Sequence, residues 1–292
     1  MLEFLKALGD PHSVFLVHAL AAGLLVSVSC GIIGSYVVTR RITYIAGGIA
    51  HFVLGGIGAA NYFRIEHGLE WLNPFYGALF AALLAAVIIG LVSLRSRERE
   101  DTVIGALWAI GMAVGVLFLS QTSQYAQNLQ TYLFGNILLT GREGPWLIFG
   151  LDALVLVMGL LFYNPLLAVC FDEECARLRG VPVEAYYLML LGLTALTVVL
   201  LASIVGVVMV IALLTLPAAI AGRFSRRLWQ MMAIAVALCA CFTTFGLAFS
   251  YSLELPTGAT TVLLAGAAYI LVILAGGVWK RLRKGVAKNT NR

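Results

Sequence analysis

One histidine, His51, stands inside a run of apolar and glycine residues, RRITYIAGGIAHFVLGGIGAANYF at 40–63, with no charged residue within nine positions of it. An imidazole can lend a ring nitrogen to a transition-metal ion or carry a proton, and in a purely structural role it donates to a backbone carbonyl. A second isolated polar group, Asp152, lies in the apolar run WLIFGLDALVLVMGLL. Its carboxylate suits a passing cation, or else pairs with a neighbouring hydroxyl or amide. A third feature is the stretch Glu174-Cys175-Ala176-Arg177-Leu178-Arg179-Gly180, spaced E-x-A-x-x-x-G and followed by Pro182. This spacing predicts a short amphipathic helix stopped by glycine, which either presents a rigid knob to a partner or forms a solvated loop. The chain contains no H-E-x-x-H or comparable paired set for covalent chemistry, and no G-x-x-x-x-G-K-[ST] run to cradle nucleotide phosphates.

The elements that must hold these groups follow from composition. Of 292 residues 61% are hydrophobic and only 11% charged, with a mean hydropathy of +0.97. A soluble domain carries about 25% charge, so this is an all-α polytopic membrane protein. Apolar runs long enough to span a bilayer occur at about 14–38, 43–63, 75–94, 101–120, 146–163, 185–203, 205–222, 228–250 and 257–279. These make about nine spans, or eight if 205–222 is a half-helix broken by Gly206, Pro217 and Gly222. The run 125–139, with Gln127, Asn128, Gln130 and Asn136, is too short and polar to span and reads as interfacial or re-entrant. The opening MLEFLKALGDPHS has no cleavable signal pattern, so the first span is expected to remain.

Orientation follows from the basic residues. An outside amino terminus puts sixteen of the 19 lysines and arginines in cytoplasmic loops or the tail, leaving Lys6, Arg64 and Arg142 outside. The carboxyl terminus is then cytoplasmic. The net charge of +5 and pI near 9.0 serve this orientation and do not imply nucleic-acid binding. Arg41 to His51 rises about 15 Å, half of a roughly 30 Å hydrocarbon core, which places His51 near the midplane. An ionisable group at that depth faces a bundle interior or a water-filled path. Residues 1–284 read as one transmembrane domain with a cytoplasmic loop at 164–184, and 285–292 as a tail. The outer loop RIEHGLEWLNP offers Glu66, His67 and Glu70, joined by Glu254 of SLELPTG, as candidate docking groups or as merely solvated charge. His18 reads as interfacial, the five cysteines as reduced packing residues, and Thr243, Thr244, Ser250 and Ser252 as back-bonded hydroxyls. Gly47, Gly48, Gly55, Gly56 and Gly58 form a small-residue face for close helix approach.

The loop 164–187 resembles the coupling segment of ATP-binding-cassette importer permeases. Four further stretches are similar to the branch that imports divalent metals, the ABC-3 type metal permease family: 34–58, 100–120, YLFGNIL at 132–138, and the pair 205–224 with 253–266. The resemblance implies a type II importer-like permease bundle in a bacterial-type cytoplasmic (inner) membrane. Its cargo would be a divalent zinc, manganese or iron ion carried as substrate, with no covalently bound cofactor. It also implies a permease dimer with cytoplasmic ATPase subunits below and an extracytoplasmic metal-binding protein above. Asp172, Glu173, Glu174, Ala176, Arg177 and Gly180 would then contact the ATPase. The family usually has an aspartate four residues before the histidine and a serine immediately before it, on one helix face. Here those positions are Gly47 and Ala50. The competing readings are import of a metal chelate through an apolar, aromatic cavity, and a stand-alone secondary carrier using Asp152 and His51 as relays.

Overall fold

Inside hydrocarbon a single chain satisfies its backbone either as helices or as a closed barrel. The computed structural model describes residues 14–95, 99–122, 144–253 and 255–289, and no strand occurs among them. Eleven helices follow one another: α1 Val14–Arg40, α2 Thr43–Glu66, α3 Pro74–Arg95, α4 Glu100–Ser120, α5 Gly144–Leu161, α6 Tyr163–Phe171, α7 Glu173–Leu178, α8 Val183–Val205, α9 Val207–Phe224, α10 Leu228–Leu253 and α11 Thr257–Asn289. Eight of them are long and apolar enough to cross a membrane: α1 to α4 and α8 to α11. The bent pair α5 and α6 makes a ninth if taken as one span. The chain is therefore an all-α, multi-pass membrane protein.

Two prolines test the expected spans. The run 205–222, expected as a span with a broken half-helix as the alternative, is the helix α9 with Pro217 inside it. Gly206, at φ 85 and ψ 157, takes the break at its start, a conformation essentially confined to glycine. Pro217 has no N–H for the carbonyl of Leu213, and that oxygen instead accepts from the thiol of Cys239 on α10 at 3.3 Å. The run 146–163 is the one that bends. Pro165 leaves the carbonyl of Leu161 without its helical partner, α5 ends at Leu161, and α6 departs at 70°. The segment expected as a loop at 164–187 is consequently mostly helical, holding α6, α7 and the start of α8.

The centre of the bundle is α2 and α8, each with 67% of its span buried, while α4 and α11 lie at the periphery with 28% and 17%. Helix α2 lies between α3 and α4, with α8 and α9 behind it. Because lipid is as apolar as leucine, helices in a bilayer associate by close packing. A Cβ at Gly55 would come 2.9 Å from the carbonyl oxygen of Gly111 on α4, and one at Gly58 would come 2.7 Å from that of Gly115. Gly56 meets Gly77 of α3 in the same way, so α2 is held between two backbones.

Candidate functional site

The turn that launches α2 is tight. Ile42 N–H reaches the carbonyl of Val37 at 3.0 Å and Arg41 N–H that of Val38 at 3.1 Å, closing a Schellman motif with Arg41 at φ 65 where glycine is usual. From this fixed start α2 carries His51 to its contact with α4. The imidazole stacks on Trp108, with centroids 4.0 Å apart and planes at 14°. Tyr44, earlier on α2, approaches the same indole at 6.2 Å. Nδ1 of His51 is buried and has no hydrogen-bond partner among the described residues, as is also true of Asn61 Nδ2 further along α2. An unpaired buried nitrogen costs about 1–3 kcal/mol, and such an orphan marks a position that a ligand can complete.

One turn before His51 on the same face is Gly47. A Cβ there would lie 3.5 Å from both Trp108 Cζ3 and Ile211 Cδ1, which is ordinary contact. Unlike Gly55 and Gly56, Gly47 has room for a side chain, but its surroundings are an indole and an isoleucine. Gly48, the next residue, instead packs on Ile104 of α4. Among the described residues no three His, Cys, Asp or Glu side chains gather into a metal-binding group.

Asp152 does not join His51. It is 2% exposed, and its Oδ1 accepts a short hydrogen bond from the buried Ser29 hydroxyl of α1. Helix α5 packs on α1, α6 and α8, whereas the His51 ring faces α4. The hydroxyl-paired role is the one its geometry matches.

At the end of the bundle where α1 meets α2, the short helix α7 is built as its sequence indicates. Asp172 caps it, its Oδ1 accepting from Cys175 N–H at 2.9 Å, and Glu173 and Glu174 occupy the first turn, where the helix dipole favours negative charge. Arg177 occupies the last turn, and Gly180 at φ 77 ends the helix as Val181 N–H reaches the Ala176 carbonyl at 3.1 Å. Ala176 is buried against Val169 and Val183, so a larger residue there would lift α7 off the bundle. On the outer side Leu178 is 89% exposed and Phe171 68%, an apolar knob that the sequence pattern did not single out. Arg40 pairs with Glu173, donates to the Val169 carbonyl at 2.8 Å, and lies 5.2 Å over the Tyr187 ring. In the sequence Arg40 is only one of many orienting charges, and nothing in its neighbours signals these partners.

At the other end of α2, Glu66, His67 and Glu70 are exposed. The His67 ring lies against Tyr62 and Phe63 at 5.7 and 5.3 Å, and Phe118 of α4 closes on both aromatics. Glu254, the run 125–139 with YLFGNIL, and Arg142 lie outside the described residues, as does the His18 side chain. All five cysteines are free thiols.

Residues 12–276 match the ABC 3 transport family. The chain is 37% identical to a "Probable metal transport system membrane protein" of Chlamydia muridarum, over 94% of this chain and 92% of that one. It is 32% identical to the "Manganese transport system membrane protein MntC" of Halalkalibacterium halodurans, over 88% of this chain and 86% of the relative. Among solved structures it is similar to PsaBC from Streptococcus pneumoniae in complex with Fab, with a TM-score of 0.79 at 29% identity, covering 92% of this chain and 94% of that chain.

Proposed function

The chain belongs to the ABC 3 transport family, and from that premise we propose that it is the membrane-spanning permease of an ATP-driven importer that moves a divalent transition-metal ion inward. A permease of this family is a multi-pass protein of the cytoplasmic membrane and is not itself an enzyme, the ATPase being a separate subunit. The relatives named for metal and manganese transport support the cargo class. The observation that carries the reading is the unpartnered Nδ1 of His51 in the middle of the α2–α4 contact.

The mechanism follows from that contact. An extracytoplasmic binding protein delivers the ion to the outer mouth, where the exposed Glu66, His67 and Glu70 are available to receive it, with Glu254 as a further candidate. Nδ1 is covered in this conformation, so a cation reaches it only when α2 and α4 part or Trp108 turns away. Such an opening and closing is what alternating access requires. The exposed Leu178 and Phe171 beside α7 suit docking to a cytoplasmic ATPase, with Asp172, Glu173, Glu174, Ala176, Arg177 and Gly180 shaping the helix that bears the contact. The glycine-lined α2 and the sparsely buried α4 are compatible with a path shared by two permease copies, a second imidazole then completing the ligand set. The cytoplasmic side is assigned from the lysine and arginine bias.

Imidazole ligands without a carboxylate suit zinc or iron(II), whereas the relatives named for manganese transport point to a metal that prefers oxygen ligands. A second reading rests on the same place. Trp108, Tyr44 and the empty Gly47 position make an aromatic lining of the kind that accepts an organic chelate. Uptake and ATP hydrolysis by the reconstituted complex, with Zn²⁺, Mn²⁺ or Fe²⁺ supplied free or chelated, separate the two. We expect free ion to stimulate the wild type and His51→Ala to lose about tenfold or more of that uptake, since even the loss of a group that only orients a metal ligand costs about 10–100-fold. Unchanged uptake by His51→Ala removes His51 from the path, response to the chelate alone favours the second reading, and uptake without ATP points to a secondary carrier.

A further inference from the structure

Five side chains link six helices at the end of the bundle where α1 turns into α2. Glu173 begins α7 and pairs with Arg40, the last residue of α1. Arg40 also donates to Val169 of α6 at 2.8 Å and covers the Tyr187 ring of α8 at 5.2 Å. Tyr187 is 3% exposed, on the helix α8 that packs along α3, the helix bearing Ser93. The Ser93 hydroxyl in turn donates to Glu100, the first residue of α4. Only a guanidinium serves the three Arg40 contacts together, because its planar fork bonds at the edges while its face stays free for the ring.

Both routes out of this cluster lead to His51. Arg40 is followed by the closed turn at Arg41, whose two backbone bonds leave no slack before α2, the helix that bears the imidazole. Glu100 opens α4, the helix that bears Trp108. We propose that Arg40 is the positioning residue that ties α7 to the two helices around His51, so that displacement of α7 by a nucleotide-binding partner is delivered to α2 and α4. This rests on the importer reading, in which α7 meets that partner. The cluster acts as a strut: an ion pair at one end, a buried aromatic ring in the middle, and a hydroxyl on a carboxylate at the other.

The test uses the permease with its ATPase subunits in liposomes, with Zn²⁺ and Mn²⁺ as probes, and compares wild type with Arg40→Gln, Arg40→Lys, Glu173→Gln and the Arg40→Gln/Glu173→Gln double variant. The quantity read is metal moved per ATP hydrolysed. We expect each Gln variant to lose about tenfold, within the range by which allosteric coupling shifts an equilibrium. The double variant should be no worse than Arg40→Gln alone, because both substitutions cut one link. Arg40→Lys should keep the ion pair and part of the ratio. Copurification of the ATPase and the melting temperature should stay near wild type, since a partly exposed pair contributes little stability. An unchanged ratio in Arg40→Gln overturns the proposal. So does a loss that follows the melting temperature or the release of the ATPase, because Arg40 would then be a folding or docking residue. A wild-type complex without ATP-dependent uptake sinks the importer reading first, before any substitution is made, and the strut with it.

Discussion

The contact of α2 with α4 around His51 and the cluster around Arg40 hold helices together by opposite means. In the first, Gly55 and Gly58 face Gly111 and Gly115, and the backbones come close because side chains are absent. In the second, charged and aromatic side chains reach across to their partners. The difference follows the solvent. In hydrocarbon, packing holds helices and an unpaired polar group is expensive, so the two buried side-chain atoms without a partner among the described residues, His51 Nδ1 and Asn61 Nδ2, both on α2, stand out. At the aqueous edge, charges stay hydrated while they pair, and a permanent link costs little. In the proposed importer the middle holds a ligand that comes and goes, and the edge a connection that persists.

Three substitutions probe that contrast, taken from the largest effect to the smallest. Gly56→Val drives a side chain into the backbone of Gly77 and the Cβ of Ala81, and is expected to destabilise by about 3 kcal/mol or more. Thermal melting in detergent reads this, and a variant that melts like wild type would mean that close approach is not what holds α2. Gly47→Asp meets only ordinary contacts at 3.5 Å, so it should fold. Its carboxylate near the bilayer centre is expected to cost about 2.5 kcal/mol without cation. Saturating Mn²⁺ or Zn²⁺ should offset that cost, giving a larger metal-dependent rise in melting temperature than wild type shows. No metal-dependent rise would separate Gly47 from the ion path. Arg41→Gly removes the strain of a non-glycine residue at φ 65 and should stabilise by about 1 kcal/mol. A loss of stability there would reveal a partner for the Arg41 side chain that matters more than its backbone.

Much of this architecture was legible in one dimension. The hydropathy runs located the membrane helices, because a bilayer demands length and apolarity over contiguous residues. The pattern from Glu174 to Gly180 located α7 and its glycine stop, because capping and termination depend on neighbours a few residues away. His51 announced itself by isolation. Trp108 did not, although it lies in a stretch read for its resemblance: its stacking on His51 depends on the rotation of α4 about its own axis. Asp152 was visible as a polar residue, but only packing chose Ser29 as its partner.

The two prolines mark where sequence alone stops. Pro165 and Pro217 have the same ring and the same missing N–H, and local rules make both helix breakers. In the packed bundle their outcomes differ. That of Leu213 meets the thiol of Cys239 from α10, and α9 runs through. At Leu161 the chain turns by 70°. Composition and short-range spacing determined which segments are helical and where charge collects, since those are properties of neighbours along the chain. Which helix continues, which indole covers the imidazole and which carboxylate takes Arg40 were decided by contacts between residues far apart in sequence, and those exist only once the helices have packed.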